Sequence, residues 1–384
     1  MNFEFATGGR ILFGAGRIRE LPGALERFGR RALVITGQNA ERSAPMLKLL
    51  RSAGISTVLW PIAGEPTVDL VRAGAAFCRD EGCDFAISFG GGSVIDAGKA
   101  IAALHTNTDD VLEYLEVIGR GKPLSNPAAP FVAIPTTAGT GTEVTRNAVL
   151  GSPEHRVKAS LRSALMLPRL ALVDPALTYD LPPELTASTG LDALTQLIEP
   201  FVSRRANAIT DAICREGMRR VARSLRRAFE NGGDTVARED MALAALLGGL
   251  ALANAGLGAV HGFAAPIGGM FPAPHGAVCA ALLPHVIAVN VRALREREAE
   301  GEALRRFDEV ARLLTGRDDA RADDAVRWTG ELCGALSVSP LRAYGVSARD
   351  FPSVVEKASA ASSMKSNPLA LTPLELDEIL ERAT

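Results

Sequence analysis

From Met241 to Val291 the chain runs for 51 residues without a single Asp, Glu, Lys or Arg. A stretch of that length without charge lies out of water, either in lipid or inside a fold. Lipid asks for an unbroken run of about 20 apolar residues. This run is interrupted by Gly248, Gly249, Asn254, Gly256, Gly258, His261, Pro266, Gly268, Gly269, Pro272, Pro274 and His275. Breaks at that density suit Gly/Ala-rich helices packed closely in a protein core. The expectation is a buried helical core with no membrane span.

The first half has a different grain. Short β-branched or apolar runs at 31–37, 56–62, 85–92, 131–137 and 170–175 alternate with helical patterns, and all but 56–62 end in Gly, Pro or Thr. That rhythm reads as βαβ units in a mostly parallel sheet. From Pro182-Pro183 onward the spacing is helical, around 190–203, 208–229, 238–253, 290–315, 320–336, 349–361 and 373–383. At 384 residues the chain exceeds one ordinary core. It divides into an α/β dinucleotide-binding domain over 1–180 and an all-helical domain over 181–384, expected to pack with a cleft between them.

Composition narrows the partners. Apolar residues are 47%, charged residues 22%, and 42 basic residues nearly balance 44 acidic ones. These values exclude a disordered chain or a strongly basic nucleic-acid binder and fit a soluble enzyme with a small-molecule substrate. Arginines 215, 219, 220, 223, 226 and 227 form a basic stripe, read as a solvated helix face. The odd set of five cysteines has no CxxC spacing, and MNFEFATGGR has no basic segment followed by an apolar run. No disulfide framework, zinc knuckle or secretory signal is expected, and a cytoplasmic location is.

Directly after the run FAISF comes Gly90-Gly91-Gly92-Ser93, opening a helical pattern through Asp96 and Lys99. Glycines there let a phosphate approach backbone N–H groups at the positive end of a helix dipole. Neither GxxxxGK[ST] nor GxGxxG fits, so a Gly-rich turn tightening an α/β crossover is the alternative. A second cluster, Ile134 to Glu143, carries Thr136, Thr137 and Thr140 after another strand and suits sugar, phosphate or amide recognition. Lys158 is one of only six lysines and is a candidate for a ribose or phosphate, or else an ordinary surface lysine.

Asp192 and Gln196 stand four residues apart on a helix whose apolar stripe is Leu191, Leu194, Leu197, Ile198 and Phe201, so their oxygens project from one face. His261 and His275 lie inside the uncharged stretch, each followed by glycine. Two imidazoles and a carboxylate in apolar surroundings form either a divalent-ion pocket or a hydrogen-bonded core pair. The remaining histidines, His105, His155 and His285, are read as structural.

Taken in order, GGGSVIDAGKA, AIPTTAGTGTEVT, LVDPALT, LDALTQLIEPFVS, NAGLGAVHGFAAPIGG, PAPHGAVCAALLPHV and NPLALTPLELDEIL resemble the iron-containing alcohol dehydrogenase family over nearly the whole chain. The resemblance implies a dehydroquinate synthase-like fold, NAD or NADP as cofactor, a divalent metal (Fe2+ or Zn2+), a homodimer, and hydride transfer between an alcohol and an aldehyde or ketone. It implies that Gly91, Gly92, Ser93 and Asp96 meet the pyrophosphate, that Thr136, Thr137 and Thr140 surround the cofactor, and that Lys158 lies near the ribose. Asp192, His261 and His275 match three of the four metal ligands and serve as the catalytic group.

Three positions depart from the family. Gln196 stands where a histidine is usual and would ligate through a neutral amide oxygen, a poorer donor to Zn2+ or Fe2+. Ala265 replaces a further histidine near the nicotinamide. Gly37 stands where an aspartate often repels a 2′-phosphate and, with Arg42 nearby, opens the way to NADP(H). Two other readings follow from these departures: a metal-independent reductase of a carboxylated substrate, resembling the maleylacetate reductases, and a dinucleotide-binding protein without catalysis.

Overall fold

Strands form where the apolar runs of the first half are flanked by turn residues, and helices fill the intervals. The computed structural model describes residues 2–155 and 157–384. The strands are β1 (Ile11–Phe13), β2 (Arg31–Gly37), β3 (Ser56–Ile62), β4 (Phe85–Gly90), β5 (Phe131–Pro135), β6 (Asn147–Ser152), β7 (Val157–Arg162) and β8 (Leu170–Val173). Six of them make one sheet in the order β1-β8-β5-β4-β2-β3, with every pairing parallel. The helices between them are α1 (Leu21–Ala24), α2 (Ala44–Ser52), α3 (Val68–Asp80), α4 (Gly92–Thr106) and α5 (Val111–Tyr114).

Alternation along the strands builds two cores. Leu33, Ile35, Ala86, Phe131 and Ala133 face one side, with Val71, Ala97 and Ile101 from α3 and α4. Ala32, Val34, Ile87, Val132 and Ile134 face the other, with Met46 and Leu50 from α2. Because both faces are covered, β4 and β5 are buried at every position and read as continuous apolar runs. Helix α4 comes unusually near the sheet at Gly98, where a Cβ would lie 2.0 Å from Ser88 Oγ and 2.9 Å from the Phe131 ring.

The antiparallel hairpin β6-β7 was not anticipated from the sequence. Its alternation is carried by small residues such as Ala148 and Ala159, which give a weak period-2 signal. The expected strands at 85–92, 131–137 and 170–175 end two residues earlier than read. At β4 the reason is local, because Gly92 already begins α4.

The chain falls into two compact units. One comprises residues 6–137 and 141–179; the other comprises 2–5, 138–140 and 180–384. The second is helical: α6 (Pro183–Val202), α7 (Ala208–Glu230), α8 (Thr235–Ala255), α9 (Ala259–Met270), α10 (His275–Arg297), α11 (Glu302–Thr315), α12 (Ala322–Ala335), α13 (Phe351–Ala360) and α14 (Pro373–Ala383). The uncharged stretch supplies most of α8, all of α9 and most of α10. Helix α10 is long and apolar enough to cross a membrane, yet 72% of its most apolar window is buried within the protein. The expected helix at 290–315 is two helices, α10 and α11, broken between Arg297 and Glu302. Helical spacing continues through the break, and Gly301 alone marked it in the sequence. Arginines of α7 are committed to acids of the same unit: Arg215 to Glu309, Arg220 and Arg223 to Asp240, Arg226 to Glu230, and Arg227 to Asp234.

Candidate metal centre and dinucleotide loops

Three neighbouring strands of the sheet, β2, β4 and β5, end side by side. Thr36 pairs with Phe89, and Gly90 with Pro135. Gly37, the Gly91-Gly92-Ser93 turn, and Thr136 with Thr137 therefore sit together at the carboxyl ends, where open parallel sheets bind ligands. Thr136 N–H donates to the Gly90 carbonyl at 3.0 Å. A Cβ on Gly91 would touch Thr137 at 3.3 Å, so these two turns lie against each other. Helix α4 starts at Gly92, and its N-cap, Gly91, supplies no side-chain cap, which leaves the helix end open to an anion.

The other sequence-predicted contacts are placed differently. Asp96 is engaged beneath the loop: Oδ1 accepts from Thr142 Oγ1 at 2.5 Å and Oδ2 from Val149 N–H at 3.0 Å. Lys158 on β7 forms an ion pair with Glu65 at 2.5 Å and is nearly buried. Thr140 belongs to the compact unit of the helices, apart from Thr136 and Thr137. Arg42 donates to the Leu177 carbonyl at 3.1 Å. His155 Nδ1 meets Ser152 Oγ at 2.8 Å.

The helical unit brings the metal candidates together. Asp192 is carried by α6, His261 by α9, and His275 opens α10. Asp192 Oδ1 lies 3.3 Å from His261 Nε2 and 3.6 Å from His275 Nε2. The imidazole rings are 5.4 Å apart, centre to centre. A fourth group that the sequence had not flagged, Cys279, completes the cluster: one donor atom from each of the four lies within 4.8 Å of the others. Asp192 Oδ1 is buried and has no hydrogen-bond partner among the described residues. Such a buried carboxylate oxygen, facing two imidazole nitrogens and a thiol, makes a donor set that fits a divalent ion.

Glu199 is the second residue that sequence reasoning missed. One carboxylate oxygen accepts from Val260 N–H at 2.7 Å, and the other lies 2.7 Å from His261 Nδ1. The imidazole donates its Nδ1 proton to the carboxylate, which leaves Nε2 as the nitrogen turned to the cluster. Gly258 is required for this arrangement, because a Cβ there would come within 2.9 Å of Glu199 and 3.0 Å of Asn367. Asn367 in turn accepts from Ala259 N–H, so the start of α9 is pinned by two side chains.

The charges of the cluster act on one another. Burial works against the His275 imidazolium, yet Cys279 and Asp192 beside it lift the group to about 9. Burial opposes His261 too, and Cys279, Glu199 and Asp192 raise it well above its ordinary value. Burial would push the Asp192 carboxyl up, but the two imidazoles and the Gln196 amide hold it below the usual range. Gln196 itself donates weakly to the Gly139 carbonyl at 3.5 Å, and its Oε1 is buried without a partner. Ala265 lies one turn beyond His261 on α9 and offers no polar atom.

An open helix N-terminus in one unit and a nest of ion-seeking donors in the other are the equipment expected of a dehydrogenase. Sequence profiles agree: "Iron-containing alcohol dehydrogenase" matches residues 8–175, and "Fe-containing alcohol dehydrogenase family, C-terminal" matches residues 186–384. The chain belongs to the iron-containing alcohol dehydrogenase family and is an oxidoreductase of that kind. It is similar to 1,3-propanediol dehydrogenase of Klebsiella pneumoniae, at 38% identity over 92% of each chain. Among solved structures it is similar to a 1,3-propanediol oxidoreductase, with a TM-score of 0.92 at 34% identity over 100% of both chains. Another is the sulfoacetaldehyde reductase of Bifidobacterium kashiwanohense in complex with NAD+, with a TM-score of 0.87 at 28% identity over 100% of this chain and 99% of that one.

Proposed function

We propose that this protein interconverts a small alcohol and its aldehyde or ketone with NAD(H) or NADP(H), using a divalent ion held by Asp192, His261 and His275. The observation that carries this reading is the buried, unpartnered Asp192 Oδ1 facing two imidazole nitrogens. When bound there, the ion supplies Lewis-acid polarisation of a substrate oxygen, and the nicotinamide takes or gives the hydride. The chain's own part is positioning. Glu199 fixes the His261 tautomer, and Glu199 with Asn367 anchors the helix end that carries it. Ala265 has no atom able to hold a proton, so the proton released on alcohol oxidation leaves by solvent or by the cofactor ribose. The relatives' names, a propanediol dehydrogenase and a sulfoacetaldehyde reductase, support short polar substrates. The NAD+ bound by the latter supports a nicotinamide cofactor. Gly37 puts no carboxylate at the end of β2, so both NADH and NADPH are accepted. Without the ion, a carboxylated substrate would meet the buried negative charge of Asp192, which disfavours the metal-independent reading.

The test strips the protein with a chelator, restores Fe2+ or Zn2+, and follows NADH and NADPH oxidation on a panel of short aldehydes. Activity should vanish on stripping and return with the ion. Unchanged turnover in the stripped protein would overturn the metal reading.

A further inference from the structure

The family pattern leaves this centre one imidazole short at Gln196, and the structure places a sulfur in the gap. Cys279 stands four residues after His275 on α10, so both side chains leave the helix on one face. Cys279 Sγ is 3.7 Å from His275 Nε2 and 3.9 Å from His261 Nε2. We propose that Cys279 is the fourth protein ligand, bound as a thiolate, and that the resulting Asp192/His261/His275/Cys279 set selects zinc over iron. This rests on the metal-centre reading above and deepens it.

Geometry, charge and chemical preference all place the sulfur on the ion. For bonds of about 2.0–2.1 Å to nitrogen and oxygen and about 2.3 Å to sulfur, a tetrahedral site has N···O edges of about 3.4 Å and S···N edges of about 3.6 Å. The Asp192–His261 and Asp192–His275 edges are 3.3 and 3.6 Å, and the two sulfur edges are 3.7 and 3.9 Å. Those four edges are within about 0.3 Å of the tetrahedral values before any ion pulls the donors in. The second is charge. Asp192 and Cys279 as anions, with two neutral imidazoles, match the charge of a divalent ion in a buried core, and the Glu199 carboxylate behind His261 adds to the negative field that would hold it. The third is chemical preference. Thiolate with imidazole favours zinc, whereas carboxylate and imidazole alone leave Fe2+ competitive. Gln196, its amide nitrogen directed to Gly139, then serves as a neighbour that steadies Asp192.

The experiment uses the full-length protein, stripped of metal and titrated anaerobically with Co2+, alongside Cys279→Ser and Asp192→Ala. The wild type should take up one Co2+ and show a sulfur-to-cobalt charge-transfer band in the near ultraviolet. Cys279→Ser should lose the band and bind Co2+ at least about tenfold more weakly, while its ion-free circular dichroism and melting match the wild type. X-ray absorption at the zinc edge of the wild-type protein should show one sulfur at about 2.3 Å, and this measurement decides the matter if the serine variant does not fold. Co2+ uptake that depends on Asp192 but shows no sulfur band, or a band that persists in Cys279→Ser, overturns the role of Cys279 and leaves the centre standing. A wild-type protein that binds neither Co2+ nor Zn2+ overturns the metal reading itself.

Discussion

A buried imidazole presents one nitrogen to a ligand only when something holds the proton on the other, and Glu199 does this for His261. Glu199→Gln places an amide where the carboxylate was and removes the reason for Nδ1 to keep its proton. Ion affinity should fall about 10–100-fold, read by competition with a chromophoric chelator; an unchanged affinity would show that His261 is oriented by packing alone. Gly37 makes a separate residue-scale prediction. Nothing lies within 4 Å of a Cβ built there, so Gly37→Asp fits without strain. Its carboxylate at the end of β2 should raise KM for NADPH at least about tenfold while leaving NADH nearly unchanged. Equal changes for both cofactors would remove Gly37 from cofactor selection. At this scale the sequence displayed Asp192, His261 and His275 because polar residues in apolar runs stand out. Cys279 did not stand out, because a cysteine among Ala, Val and Leu reads as one more small core residue. Glu199 was hidden for another reason: its partner lies 62 positions away, and no spacing rule joins them.

At the scale of elements, α4 depends on a buried ammonium. Lys99 Nζ is fully buried and donates to Thr142 O, Thr142 Oγ1, Thr145 Oγ1 and Asn147 O at 2.7–2.9 Å, which ties α4 to the hairpin strand β6. Burial pushes Lys99 down to about 8, against the pull of Asp96 and Glu143, so it stays charged at neutral pH. Lys99→Met would strand four oxygens and the Asp96 carboxylate and should cost about 3–5 kcal/mol in urea unfolding. Glu143 gives the pH dependence. Burial raises its carboxyl to about 7 from 4.5, with Lys99 pulling the other way. A raised acid holds its proton in the folded chain where the unfolded chain has released it, so its stabilising contribution is complete below about pH 4.5 and is lost as pH rises through 7. Glu143→Gln should therefore lack a decline worth about 3 kcal/mol between about pH 4.5 and 7; parallel pH profiles for variant and wild type would reject this. Legibility followed the strength of local pattern. The parallel strands β2, buried at five of its seven positions, and β3, an edge strand with only Ile62 buried, were legible to the residue, because each is a run rich in β-branched and apolar residues between turn signals. The β6-β7 hairpin was not, because what holds it is Lys99 and Asp96, reaching across from α4.

Over the whole molecule, the two candidate sites draw on different compact units, and ligand linkage should report them separately. The donors Asp192, His261, His275 and Cys279 all belong to the helical unit, whereas Gly91, Ser93, Thr136 and Thr137 belong to the sheet unit. A ligand that binds only the folded state stabilises it by about 2.7 kcal/mol at a hundredfold excess over Kd. That stabilisation appears as slowed amide exchange where the bound groups are anchored. Zinc should slow exchange in α6, at the start of α9 and in the first turns of α10, the three elements that the uncharged stretch and the Pro183 helix bring to one point. NADH should slow it at residues 90–95 and at Thr136 and Thr137. Asp192→Ala should abolish the first pattern and spare the second, since Asp192 touches only the helical cluster. Protection by zinc spread evenly over β2, β4 and α4 would mean that the ion is held elsewhere. Loss of the NADH pattern in Asp192→Ala would mean that the two sites are energetically one.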